Sequence, residues 1–139
     1  MLADLQNEKN AILPDDSKAD TLLISSPKGD EIFYFGSTKN GLPDGFGIGF
    51  YKNKGYYIGN WSNNMRNGTG KHFYINGDKY EGGFLNDMRD GLGIYYYTTG
   101  DRYEVNWEKD LMHGEGLIIS KDGKKKSGVW FEGKLLKSQ

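Results

Sequence analysis

Tyr57-Ile58-Gly59-Asn60-Trp61-Ser62-Asn63-Asn64-Met65-Arg66-Asn67-Gly68-Thr69-Gly70-Lys71-His72-Phe73-Tyr74 is the stretch from which the fold can be read. In an extended strand alternate side chains share a face, so Tyr57, Gly59 and Trp61 project to one side. The run from Asn63 to Gly68 is polar and rich in residues that tolerate left-handed dihedrals, so it turns the chain. Thr69 to Tyr74 returns as a second strand of β-branched and aromatic character. Asn76-Gly77 then carries the two-residue hairpin signal into the next strand. One such stretch is a β-hairpin.

The same hairpin is written along the whole chain. Tyr34, Tyr57, Tyr80 and Tyr103 stand 23 residues apart, and the next step lands on Lys126. With each tyrosine as position one, position five is Thr38, Trp61, Phe84, Trp107 and Trp130, and position three is Gly36, Gly59, Gly82, Val105 and Gly128. Glycine pairs recur at Gly45/Gly47, Gly68/Gly70, Gly91/Gly93 and Gly114/Gly116. Such register without an inserted residue marks tandem structural repeats. Units starting near 34, 57, 80, 103 and 126 predict an all-β protein, an elongated single-layer twisted antiparallel sheet of hairpins paired edge to edge. Glycine inside a strand is kept where another group must come close, and here rings can lie over it. An aromatic–glycine ladder lets one layer stand without a conventional core.

Composition agrees. Hydrophobic residues make up only 36% of 139 and glycines number 21, yet aromatics reach 14%, which is too many for a disordered chain. A formal charge of −1 gives no general attraction to nucleic acid or anionic lipid. With no cysteine there is neither disulfide nor thiolate, which suits a reducing compartment. Residues 1–30 show no cationic start ahead of an apolar core, and no apolar run reaches membrane-span length, so a soluble, cytoplasmic protein is expected.

Tyr-x-Gly-x-Trp followed by Gly-x-Gly on a 23-residue spacing resembles the MORN (membrane occupation and recognition nexus) repeat, over about residues 34–135. Departures are Thr38 for the first ring, Val105 for a glycine, Lys126 for the fifth tyrosine, and a late glycine shifted to Gly55. Val105 puts methyl groups where a ring should lie flat, so ring packing beside it is expected to fail. The resemblance implies a non-enzymatic scaffold or structural subunit, cytoskeletal or ciliary in setting, that accepts peptides or helices in an aromatic groove. It equally names a peripheral membrane module binding anionic phospholipid. Both readings stay open, with neutral charge favouring a protein partner.

The chain divides into three regions: an arm over 1–20, a capping hairpin over 21–33, and repeats over 34–139. In the arm Leu2, Leu5 and Ile12 share one helical face and Pro14 would stop the helix. In the cap Thr21–Ser25 reads as a strand and Pro27–Asp30 as a turn. Gly128–Phe131, the Glu132-Gly133 turn and Lys134–Leu136 read as the closing hairpin.

No catalytic, metal or cofactor site is expected. His113, in the slot of Asp44, Asn67 and Asp90, reads as a turn residue, and His72, aligned with Gly49, Tyr95 and Ile118, as a surface or groove residue. The glycine pairs stand on strands rather than between strand and helix, so they make no phosphate cradle. Asp44, Asp87, Asp90 and Asp110 lack the dense oxygen spacing of a calcium loop. Lys124-Lys125-Lys126 reads as a solvated run. Large exposed aromatic patches mark contact surfaces, so Tyr57, Trp61, Tyr80, Phe84, Tyr103 and Trp107 are the expected partner-binding column.

Overall fold

The computed structural model describes residues 19–138, so the helical expectation for Leu2, Leu5 and Ile12 lies outside the described residues. Eleven strands succeed one another: β1 (Asp20–Ser25), β2 (Glu31–Lys39), β3 (Leu42–Tyr51), β4 (Gly55–Ser62), β5 (Met65–Phe73) and β6 (Lys79–Leu85). They continue as β7 (Met88–Tyr96), β8 (Arg102–Glu108), β9 (Leu111–Ile119), β10 (Lys125–Phe131) and β11 (Lys134–Ser138). Spatial order equals chain order in a single 11-stranded antiparallel sheet, with no helix among the described residues. β1 caps the first repeat and β11 closes the last, in keeping with the two end hairpins expected from the sequence.

Two kinds of turn alternate. Within each repeat the turn is tighter than the polar run suggests, because only Asn63 and Asn64 turn and β5 already starts at Met65. Both have positive φ (51° and 69°), as do Asn86-Asp87 (47° and 72°) and Lys109-Asp110 (49° and 72°), the type I′ geometry that matches strand twist. Between repeats the loop is longer than the two residues expected of Asn76-Gly77. Tyr74 N–H donates to the Asp78 carbonyl and Gly77 N–H to the Tyr74 carbonyl, with φ +97° at Gly77. That is a three-residue loop ending on a left-handed glycine. Tyr97–Asp101 and Ser120–Lys124 repeat it bond for bond.

Register lays like residues in rows across the sheet. One row runs Gly36, Gly47, Gly59, Gly70, Gly82, Gly93, then Val105, Gly116 and Gly128. Tyr34, Tyr57 and Tyr80 lie in the adjacent row and fold over it, filling the space that a Cβ on Gly47, Gly70 or Gly93 would need. Such a Cβ on Gly70 would stand 2.2 Å from Tyr57 Oη and 2.3 Å from Cε1. Trp61 rests on Gly49 in the same manner.

Beside the glycine row each hairpin breaks register. Gly59 faces Gly70, but Trp61 faces Arg66, and the same shift occurs after Gly36, Gly82 and Val105. These irregularities, which the repeat pattern does not announce, sit where the tyrosine hydroxyls end. Tyr34, Tyr57 and Tyr80 donate to the carbonyls of Ser37 (2.6 Å), Asn60 (2.9 Å) and Gly83 (2.9 Å). The fourth unit differs for the reason its sequence announced. A Cβ on Gly116 would meet Val105 Cγ1 at 2.3 Å, so valine fills the place of the ring, and Tyr103 packs against Tyr97 and Trp130 instead.

The opposite face carries a second, smaller cluster of Ile48, Tyr56 and Ile58 against Phe50 and Phe73. Tyr56 stacks on Phe73 at 4.7 Å between centroids, and Lys79 Nζ covers Tyr96 at 4.3 Å. Both faces thus carry rings, but on this one Phe33 and Phe46 stay exposed.

Gly70→Ala should cost about 2 kcal/mol in urea denaturation, the usual penalty of overpacking. In a Tyr57→Leu background the same change should cost distinctly less, since the group it displaces is gone. Equal costs in both backgrounds would show that the ring does not occupy the glycine's space.

Candidate functional site

The predicted column Tyr57, Trp61, Tyr80, Phe84, Tyr103 and Trp107 does assemble on one face, but as packing rather than open surface. Tyr57 and Tyr80 are 0% exposed, Trp61 3%, Phe84 4% and Trp107 5%; only Tyr103 remains half-buried. The physical reason is edge-to-face contact along the column. Tyr57 meets Trp61 at 5.2 Å and Phe84 at 5.0 Å, and Tyr80 meets Phe84 and Trp107, each at 5.2 Å. T-shaped pairs of this kind add roughly 0.5–1.5 kcal/mol each beyond area burial. Burial also pushes the hydroxyls of Tyr34, Tyr57 and Tyr80 well above the ordinary tyrosine range, so they stay donors.

Arg66 and Arg89, one repeat apart, lean over this column. The Arg66 guanidinium carbon lies 4.9 Å from the Phe84 centroid, and that of Arg89 4.4 Å from Trp107. Each arginine is fixed by the aspartate of the next hairpin turn. Arg66 Nε donates to Asp87 Oδ1 at 2.8 Å and Nη2 to the Asp87 carbonyl at 2.6 Å. Arg89 repeats both bonds on Asp110. The first pair is deeply buried, the second opens on Asp110. Backbone bonds run alongside, from Asp87 N–H to the Arg66 carbonyl and from Asp110 N–H to the Arg89 carbonyl. Consecutive repeats are thus joined by buried charge as well as by rings.

His72 is buried, with 2% of its surface exposed, so of the surface or groove position expected only the groove remains, and it lines a cavity there. Tyr51 and Tyr74 flank its ring at 5.4 and 4.6 Å. Nε2 lies 2.8 Å from the Lys54 carbonyl, an acceptor only, so Nε2 carries the proton and Nδ1 accepts from Arg66 Nη1 at 3.2 Å. Burial and the Arg66 charge push its pKa down to about 4. His113 lies on β9 rather than in the turn, 3.7 Å from Glu108 Oε2, because the tight Lys109-Asp110 turn ends ahead of it.

Around these groups a cavity of about 400 Å³ opens beside the column, lined by Tyr51, Arg66, His72, Tyr74, Arg89 and Tyr95 among others. None of these was predicted as a site residue. The 23-residue recurrence of Arg66 and Arg89, and of Asp87 and Asp110, was the available signal. Taken as turn polarity, it concealed an ion pair between repeats.

The MORN repeat family model matches residues 34–53, 57–79, 80–102 and 103–125, more than half of the chain. The chain belongs to the MORN-repeat family. MORN units starting at 57, 80 and 103 coincide with the tyrosines one or two residues inside β4, β6 and β8. The fifth unit lies outside the match, and there Trp130 folds over Gly128, whereas in the second unit Trp61 covers Gly49 and leaves Gly59 to the Tyr57 hydroxyl. A search of curated proteins returns no match. Membership makes this chain a repeat module of the scaffold or membrane-associated binding type.

Asp87→Ala should cost about 3 kcal/mol, because it strands Arg66 in the interior. Asp110→Ala should cost less, since its partner keeps more water. His72 binds its proton far less readily folded than unfolded, where 6.5 is ordinary. Its contribution is therefore complete above pH 6.5 and lost as pH falls towards 4, a span of about 3 kcal/mol. Denaturation midpoints across that window should fall more steeply for the native chain than for His72→Phe; parallel profiles would remove His72 as the cause.

Proposed function

We propose that the chain is a non-enzymatic protein-binding scaffold, a structural subunit of a larger assembly, which takes a partner segment along the tyrosine face of the sheet. The observation that carries this reading is the cavity margin. The central rings are used up in packing, while Tyr74 and Tyr95 stay half-buried on the cavity wall beside two arginines. Tyrosine and arginine at the rim of a rigid, well-packed surface is the composition of interface hot spots. A cytoplasmic setting, cytoskeletal or ciliary, is the one that the family resemblance supports.

Peripheral binding to anionic phospholipid is the second reading, and one feature favours it. At the β9–β11 end Leu111, Phe131, Leu135 and Leu136 are exposed beside Lys134 and Lys137, an apolar and basic combination suited to a lipid surface.

Hydrogen exchange with a partner recovered by affinity capture and then purified separates the two. Protection over β5–β8, centred on Tyr74, Arg89, Tyr95 and Tyr103, is expected. Protection limited to the turns, or co-sedimentation with phosphatidylserine vesicles that Leu136→Asp abolishes, would overturn the scaffold reading.

A further inference from the structure

Resting on the scaffold reading, we propose that the cavity beside Arg66 and Arg89 is a seat for a carboxylate side chain of the bound protein segment. Its donors outnumber its acceptors. Tyr51 Oη is buried and has no hydrogen-bond partner, although the residue is 6% exposed and lines the cavity. Burial raises the Tyr51 pKa far above the ordinary value, so the hydroxyl keeps its proton and can donate.

Most acceptors nearby are already occupied, Asp110 Oδ2 excepted. His72 Nδ1 accepts a hydrogen bond from Arg66, and Tyr74 Oη accepts one from Arg89 at 3.3 Å. Asp110 Oδ1 receives both Nε and the backbone N–H of Arg89, and Asp30 Oδ1 receives Lys54 Nζ at 2.7 Å. Asp87 Oδ2 is a buried acceptor with no partner, but it lies behind Arg66 and outside the cavity lining. Each guanidinium spends Nε–H and one bond from each Nη on these groups, which does not exhaust its five N–H donors. Lys28 and Lys54 add ammonium groups at the rim.

An acceptor-only group completes this set, and a carboxylate has that character with a flat edge matched to guanidinium. Phosphate fits less well, because Asp30 and Asp110 on the lining would repel a dianion. At about 400 Å³ the space holds a single side chain with part of its backbone. The rings of Tyr74 and Tyr95, stacked at 5.7 Å, offer that side chain's methylenes an apolar wall.

Two blocked heptapeptides of alanine and leucine, one with a central glutamate and one with glutamine, serve as probes. The readout is the Nε–H resonances of Arg66 and Arg89 in the full chain. The glutamate peptide should shift both saturably and bind at least about ten-fold more tightly than its twin. Tyr51→Phe should weaken that binding about five-fold, the worth of one hydrogen bond, while leaving Tm unchanged or higher because the lost hydroxyl had no partner. Equal binding of the two peptides, or no effect of Tyr51→Phe, overturns the carboxylate seat while leaving the scaffold reading intact. So does the absence of any shift with either peptide. Inorganic phosphate or phosphatidylserine vesicles producing the same shifts at comparable concentration would overturn assignment to a protein segment.

Discussion

A tyrosine lying flat on a glycine, with its hydroxyl on a carbonyl where the ladder breaks, is the contact on which this sheet depends. Without a second layer, a lone sheet leaves backbone and rings in water and cannot offset the entropy of ordering its chain. Here the ring of one strand covers bare backbone of the next, and where a tyrosine lies over Gly47, Gly70 or Gly93 nothing larger than glycine fits. The hydroxyl then serves the carbonyls of Ser37, Asn60 and Gly83 beside the register shifts. Removing the Cβ and misaligning the strands each weaken a sheet alone. Together they make room for the ring that repairs both.

That contact decides how the faces are used. Rings that cover glycine and meet edge to edge are largely withdrawn from the surface, which leaves the groups beside them to carry the proposed recognition. Arg66 and Arg89 bridge column and cavity, since each covers an aromatic ring, holds the aspartate of the following repeat and lines the open space. Coupling between neighbouring repeats and the proposed seat therefore share residues, and a ligand on the arginines would also tighten the joint between units. Nearest-neighbour coupling of this sort is how repeat arrays hold together.

Much of this was legible in the sequence. Period two and the 23-residue recurrence are enough to give hairpins, meander order, one layer and both end hairpins, and Val105 announced its own exception. The register shift was not legible, because Tyr57, Gly59 and Trp61 share a face whether or not the partner strand slips. Nor was the burial of the column: a one-layer sheet suggests exposed faces, and only the edge-to-face angles of Tyr57, Trp61 and Phe84 show how completely rings can cover each other. Arg66 and Asp87 lie 21 residues apart and in different repeats, so neither unit shows the pair by itself. His72 read as a surface or groove residue because its repeat position carries Gly49, Tyr95 and Ile118 in the other units. Tyr51, Tyr74 and Arg66 bury it, brought in by pairing across strands.

The hydroxyl is the part of the contact that a single atom can test. Tyr57 donates to the Asn60 carbonyl, whereas Val105 has displaced Tyr103 from the equivalent place in its own unit. Urea denaturation of Tyr57→Phe and Tyr103→Phe compares the same deleted oxygen in the two settings. Tyr57→Phe should lose about 1–2 kcal/mol, the worth of a buried hydrogen bond, and Tyr103→Phe close to nothing. Equal losses, or a larger loss at Tyr103, would contradict the claim that the tyrosine–glycine contact and its hydroxyl hold the sheet together.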